Sequence, residues 1–260
     1  MWKWEAEGQA KAVVGLIHSA YEHHERYAWL IQQLRSNQCH VITGNLPGHG
    51  IEGHVHNEAI GTYNLYIKRL IAACHAEELP LFLIGHGFGA TLLIRLLQKE
   101  NIECAGVILT SPWLELTYQP PKLLTMLMKI SPSSKIDHAI NSTLLTRDDL
   151  HQRQFEEDPL YHCVVTSSWY HDLQLLMKTI EQTERKYQDI STLVFVGAED
   201  EVTNPNYTQQ WFYERKLSHL QFKKWPLVRH DVWQEEEREE MLAYANDFMN
   251  NVLRSLGYIV

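Results

Sequence analysis

Residues 81–97, LFLIGHGFGATLLIRLL, restrict the fold more than any other stretch of the chain. Leu81–Ile84 is an apolar run short enough to be one buried strand. Leu92, Leu93, Ile94, Leu96 and Leu97 make the far end apolar nearly all round, as in a buried helix. Gly85-His86-Gly87-Phe88-Gly89 lies between them, and glycines at this spacing let a strand and a helix approach closely through a tight turn. A buried strand that turns directly into a buried helix calls for a layered sheet with helices packed on it.

The remaining segments follow the same rhythm. Ala12–Ile17, Cys39–Ile42 and Ala105–Leu109 read as buried strands, and Trp2–Glu5 as a short edge strand. Tyr27, Leu30, Ile31 and Leu34 keep helical spacing, as do Ile60, Tyr63, Ile67, Leu70 and Cys74. From Trp113 to Asp189 the alternation stops. Leu123–Ile130, Leu144–Gln154 and Tyr170–Tyr187 are helical pieces without buried strands between them, which predicts a helical cap over residues 113–189. Strands near Ser191–Val196 and Leu220–Trp225, a helix near Tyr207–Lys216 and a last helix carrying Met241, Tyr244, Phe248, Val252 and Leu256 complete the pattern. Strands alternating with helices mean an α/β core, mostly parallel, built from residues 1–112 and 190–260.

Composition narrows the partners. At 260 residues and 45% hydrophobic the chain can fill one large core. A net charge of −9 with no basic run argues against nucleic acid. Glu235-Glu236-Glu237 reads as a solvated start to the last helix, where negative charge suits the helix dipole. Cys39, Cys74, Cys104 and Cys163 show no C-x-x-C spacing, and three of them lie in or beside apolar segments and read as small core residues of a reducing compartment. There is no apolar leader and no span of 18 uninterrupted apolar residues, so a soluble cytoplasmic protein is expected. His54 and His56 form an H-x-H without a third ligand at suitable spacing, so no metal is expected. The other histidines, His230 apart, read mostly as surface or loop residues.

Strand, glycine turn and helix are also the setting of a nucleophile elbow, which carries Ser, Cys or Asp at its apex. GHGFGA resembles the GHSxGG elbow of the α/β-hydrolase superfamily, with Gly87 where the serine would be. A G-x-G-x-G turn after a strand also suits a dinucleotide, but the third glycine of that fingerprint is missing. The α/β-hydrolase pattern recurs elsewhere in the order nucleophile, acid, histidine. The loop after Val194-Phe195-Val196 resembles the family's acid loop and puts the carboxylate at Asp200. Val228-Arg229-His230-Asp231 resembles the histidine loop and gives His230. His18-Ser19-Ala20-Tyr21-Glu22-His23 lies where the family has an oxyanion loop, which implies the backbone N–H groups of Ala20 and Phe88 as oxyanion donors. With Leu46-Pro47-Gly48-His49-Gly50, the likeness is greatest to the bacterial lysophospholipase and monoacylglycerol-lipase branch.

That branch implies hydrolysis of fatty-acyl esters by serine, histidine and acid, with no cofactor. The departures fall on the chemistry. Gly87 has no side chain, and both oxyanion-loop glycines are gone, replaced by Ser19 and by Tyr21, which would crowd or fill the space. Two readings follow: a degenerate member that binds an apolar ligand or a protein partner, or an ordinary ester hydrolase represented with its nucleophile replaced. Leu123, Leu124, Met126, Leu127, Met128 and Ile130 read first as packing within the cap and second as an acyl-binding or membrane-touching surface.

Overall fold

The computed structural model of the chain describes residues 1–120, 131–183 and 186–258. Its strands are β1 (Trp2–Trp4), β2 (Ala12–Ile17), β3 (Cys39–Thr43), β4 (Leu81–His86), β5 (Gly106–Thr110), β6 (Lys135–Asp137), β7 (Val164–Thr166), β8 (Thr192–Gly197) and β9 (Leu220–Trp225). Its helices are α1 (Ala28–Ser36), α2 (Ile60–His75), α3 (Gly87–Lys99), α4 (Ser142–Leu145), α5 (Asp149–Glu156), α6 (Ser167–Gln182), α7 (Pro205–Glu214) and α8 (Arg238–Ser255). Short 3-10 turns sit at His24–Tyr27 and Val232–Gln234.

The main sheet runs β1-β3-β2-β4-β5-β8-β9, parallel except for β1, which pairs antiparallel with β3 at the edge. β2, β4, β5 and β8 are buried along their whole length. That explains their unbroken apolar sequences, because both faces of each strand are covered. On one face Val13, Ile17, Leu83, Val107, Leu109 and Val194 pack with α2, α3 and α7. On the other, Val14, Leu16, Phe82, Ile84, Ile108 and Phe195 pack with α1 and α8. The alternation of neighbours between the two clusters is the period of two that a strand imposes.

Three expectations need correcting. The 113–189 stretch is not helical throughout: β6 and β7 form a small antiparallel sheet, and His56 bridges its outer side. Three-residue strands are too short to show a period. Glu235 is not solvated; it is 1% exposed, accepts the Arg229 N–H at 2.8 Å and lies 3.3 Å from the Arg147 guanidinium. Burial raises its carboxyl to about 6. The helix itself starts at Arg238 with Glu239 and Glu240 in its first turn. Nor are the other histidines mostly on the surface. His18, His23, His24, His49, His56, His86, His138 and His151 are all buried. Each has a ring nitrogen within hydrogen-bond distance of a polar group, as His18 does by accepting the Leu46 N–H. The apolar run from Leu123 to Ile130 lies outside the described residues. No helix among the described residues is long and apolar enough to cross a membrane.

Candidate active site

In a parallel sheet the crevice for a ligand opens beyond the C-terminal strand ends, where the strand order reverses. Here β2 has β3 on one side and β4 on the other, so the loops leaving β2 and β4 diverge from adjacent strands. The first loop delivers Ser19, Ala20 and Tyr21, and the second Gly87 and Phe88. The ends of β5, β8 and β9 add Trp113, Asp200 and His230.

Gly87 opens α3 at φ 49°, the left-handed region that an elbow apex requires. A Cβ built there would overlap Ser19 Oγ, lie 2.9 Å from Ser19 Cβ and 3.2 Å from Trp113 Nε1. The volume a nucleophile would need is therefore filled by Ser19. The Phe88 N–H, one of the two donors implied by the resemblance, points at Ser19 Oγ at 3.1 Å. Ala20 lines the cavity beside it.

Asp200 and His230, thirty residues apart in sequence, meet in the fold. Asp200 Oδ2 lies 2.9 Å from His230 Nδ1 and accepts the Thr203 hydroxyl, while Oδ1 accepts the N–H groups of Val202 and Thr203. Burial would push the Asp200 carboxyl up, but His230 and the Thr203 donors hold it below its ordinary value. Burial would likewise push the His230 imidazole down, and the Asp200 charge and hydrogen bond raise it instead. On the far side of the ring, Trp113 Nε1 donates to His230 Nε2 at 3.1 Å. An indole N–H only donates, so Nε2 holds a lone pair and the proton sits on Nδ1, toward Asp200. The nitrogen that would act as a base is thus already occupied. An imidazolium would present a second N–H to the indole, so Trp113 opposes the protonation that Asp200 favours.

Tyr21 has φ 74°, a conformation glycine adopts freely and tyrosine does not. Its ring is 1% exposed, its hydroxyl meets His138 Nδ1 at 2.8 Å, and His138 Nε2 lies 3.1 Å from the Tyr118 carbonyl. Trp113 and Trp169 pack against it, their ring centroids 5.7 and 5.9 Å away. The expected crowding is realised: the cavity lined by Ser19, Tyr21, Trp113 and His230 has a volume of about 10 Å³, space for about one water. Behind it, His86 Nδ1 meets Thr110 and its Nε2 stands 3.7 Å from Asp231. Burial, with the His230 ring nearby, lowers the His86 imidazole to about 4.

Sequence reasoning missed Trp113. It follows β5 in a Ser-Pro-Trp turn with no periodicity, and its role depends on a contact 117 residues away. The one available hint was an aromatic residue just beyond a strand end that faces the crevice.

The Asp200–His230 pair carries a pH signature. With its folded value lowered, Asp200 contributes stability above its ordinary value of 3.8, lost as the pH falls through the folded value. With its folded value raised, His230 contributes below 6.5, lost as the pH rises through the folded value. Asp200→Asn is therefore expected to cost about 3 kcal/mol near pH 5.5. The penalty shrinks toward pH 3 and toward pH 9. Urea melts of both proteins at the three pH values measure this, and a pH-independent difference would contradict it.

Comparison with known proteins agrees with this architecture. A profile of the family Hydrolase_4, "Serine aminopeptidase, S33", matches residues 8–237. A protein named phospholipase YtpA from Bacillus subtilis is 30% identical, over 97% of this chain and all of the relative. Rat monoglyceride lipase is 25% identical over 60% of this chain and 54% of its own length. Among solved structures, a monoacylglycerol lipase of Paleococcus ferrophilus superposes with a TM-score of 0.84 at 22% identity, covering 96% of this chain and 98% of that one. A soluble variant of Saccharomyces cerevisiae monoglyceride lipase with a substrate analog gives 0.83 at 17% identity, over 96% and 90%. With a mostly parallel sheet flanked by helices and a family match along most of its length, the chain belongs to the Hydrolase_4 family and has the α/β-hydrolase fold.

Proposed function

We propose that this chain is a lysophospholipase- or monoacylglycerol-lipase-like member of the family that does not perform the covalent ester chemistry. The resemblance implies fatty-acyl esters as ligand class, and the names of the relatives agree with that. In this reading Gly87 stands at the nucleophile position, Asp200 and His230 at the acid and base positions, and the N–H groups of Ala20 and Phe88 at the oxyanion positions. Residues 1–112 and 190–260 form the core, and 113–189 the cap.

The observation that carries the proposal is Ser19. Its hydroxyl takes the space beside Gly87 and satisfies the Phe88 N–H. Trp113 then engages the lone pair of His230, and Tyr21 occupies the room an acyl group would need. Three separate side chains each close a different part of the machinery. A single replaced nucleophile in an otherwise ordinary hydrolase would not bring these with it. Loss of a triad member removes several orders of magnitude in rate.

The test is a panel of p-nitrophenyl acetate, a monoacylglycerol and a lysophospholipid, with a fluorophosphonate probe alongside. The expected result is hydrolysis no faster than in buffer and no covalent adduct on any serine. Burst-type turnover, or labelling of Ser19, would overturn the proposal.

A further inference from the structure

A second cavity lies on the other side of Arg26 and shares no lining residue with the one at His230. Its volume is about 460 Å³, within the range that holds small organic ligands. Arg26, Trp29, His151, Asp158 and Arg238 line it, together with the mouth residue Glu25. Arg26 separates the two cavities. Its guanidinium lies over the Phe155 ring, 3.1 Å from the centroid, and is balanced by Glu22 at 3.6 Å and Asp158 at 3.4 Å.

Arg238 differs from Arg26. It lies over the Trp29 ring at 4.5 Å and donates to His151 Nε2 at 3.0 Å, but no carboxylate among the described residues forms an ion pair with it. The nearby Glu235 and Glu237 are taken by Arg147. Because a guanidinium only donates, His151 Nε2 accepts, and the His151 proton sits on Nδ1, 3.1 Å from Asp148. His151 and Trp29 thus hold a planar cation in one orientation at the wall of a ligand-sized cavity. His23 also lines the wall: its Nε2 is anchored on Asp158 at 2.9 Å, and its buried Nδ1 makes no hydrogen bond and lies 4.0 Å from the Glu25 carboxylate.

We propose that this cavity binds a phosphate-bearing small molecule, with Arg238 as the anion-binding side chain. A guanidinium fork matches two phosphate oxygens, and its preorganisation lowers the ordering cost of binding. The volume exceeds what inorganic phosphate fills, so an esterified group fits. Leu150, 56% exposed at the rim, offers apolar surface to its carbon atoms. Glu25, with a side chain 69% exposed, opposes any anion from the mouth. The site is independent of the proposal made for Gly87 and His230.

The experiment is a titration of the full chain, followed by calorimetry and by amide chemical shifts, with inorganic phosphate, glycerol 3-phosphate and glycerophosphocholine. Saturable binding at millimolar concentration or tighter is expected for at least one probe. Preference for the esters identifies a headgroup-like ligand, and equal affinity identifies free phosphate. Arg238→Gln should weaken binding by about tenfold or more, and Arg238→Lys by less, since the charge remains but the fork does not. Glu25→Gln should tighten it about twofold, an effect a merely structural role would not produce. Circular dichroism establishes that the variants are folded. No saturation by any probe at about 10 mM, an unchanged affinity in Arg238→Gln, or weaker binding in Glu25→Gln would overturn the proposal.

Discussion

Gly87→Ser alone is expected to leave ester hydrolysis within about tenfold of the unaltered chain, and to lower its stability. The new Cβ would overlap Ser19 Oγ and approach Ser19 Cβ to 2.9 Å. To make room, Ser19 must leave the Phe88 N–H, and the new hydroxyl must then displace Trp113 from His230 Nε2. Overpacking of this kind costs about 1–3 kcal/mol, and an L-residue at φ 49° adds about 1 kcal/mol more. Combining Gly87→Ser with Ser19→Gly and Trp113→Phe removes the obstacles posed by Ser19 and Trp113. The Phe88 donor is freed, the base recovers its lone pair, and the apex can hold a side chain. One oxyanion donor is worth about 10²–10³ in rate, so the triple variant should exceed the single one by at least about 10². Tyr21 still fills the cavity, so the gain should appear with acetyl esters and not with long acyl chains. Adding Tyr21→Gly should extend it to longer chains, because φ 74° suits glycine. Burst kinetics with p-nitrophenyl esters measure all four proteins. Rapid turnover by Gly87→Ser alone would mean that Ser19 and Trp113 yield without cost, and that the chain is an ordinary hydrolase lacking one side chain.

Much of this arrangement is legible in the residues, and the rest is hidden for physical reasons. The inner strands are apolar without interruption because they are buried on both faces, so β2, β4, β5 and β8 stand out within two residues of their observed ends. The glycine spacing around Gly87 identifies a strand-to-helix turn, since only small residues permit the approach. The resemblance supplied Asp200 and His230, and the fold brings the two within 2.9 Å. What closes the cavity was only half visible. Ser19 and Tyr21 stand out as departures from a glycine pattern, but the hydrogen bond from Phe88 to Ser19 and the indole of Trp113 on His230 are tertiary contacts with no local signature. Glu235 was misread for the same reason. A run of glutamates looks solvated until Arg147, far away in sequence, is seen to reach it. The buried histidines escape detection because imidazole is intermediate between buried and exposed residue types, and its partners here are backbone groups or side chains distant in sequence, such as Asp158 for His23 and Thr110 for His86.

Gly89→Ala should be among the most damaging single substitutions in the chain, at about 3 kcal/mol. A Cβ there would overlap the His18 carbonyl and lie 2.7 Å from the Ile17 carbonyl and 2.8 Å from Ile17 Cγ2. Two of the three are backbone atoms at the end of β2, which cannot rotate away. Either α3 must lift from the sheet or β2 must shift, and both movements separate Phe88 from Ser19. Gly61 provides the opposite case. It lies inside α2, and nothing stands within 4 Å of a Cβ added to it. Gly61→Ala should stabilise by about 0.5–1 kcal/mol through helix propensity and a less flexible unfolded chain. In a protein of this length the first change corresponds to a fall in Tm of roughly 6–12 °C and the second to a rise of roughly 1–4 °C. Thermal and urea melts of both variants check the pair. A harmless Gly89→Ala would place α3 farther from β2 than the structure has it, and the contact between Ser19 and the Phe88 N–H would fall with it. A large loss would show that Gly89 is fixed by packing between strand and helix, whatever the activity of the chain.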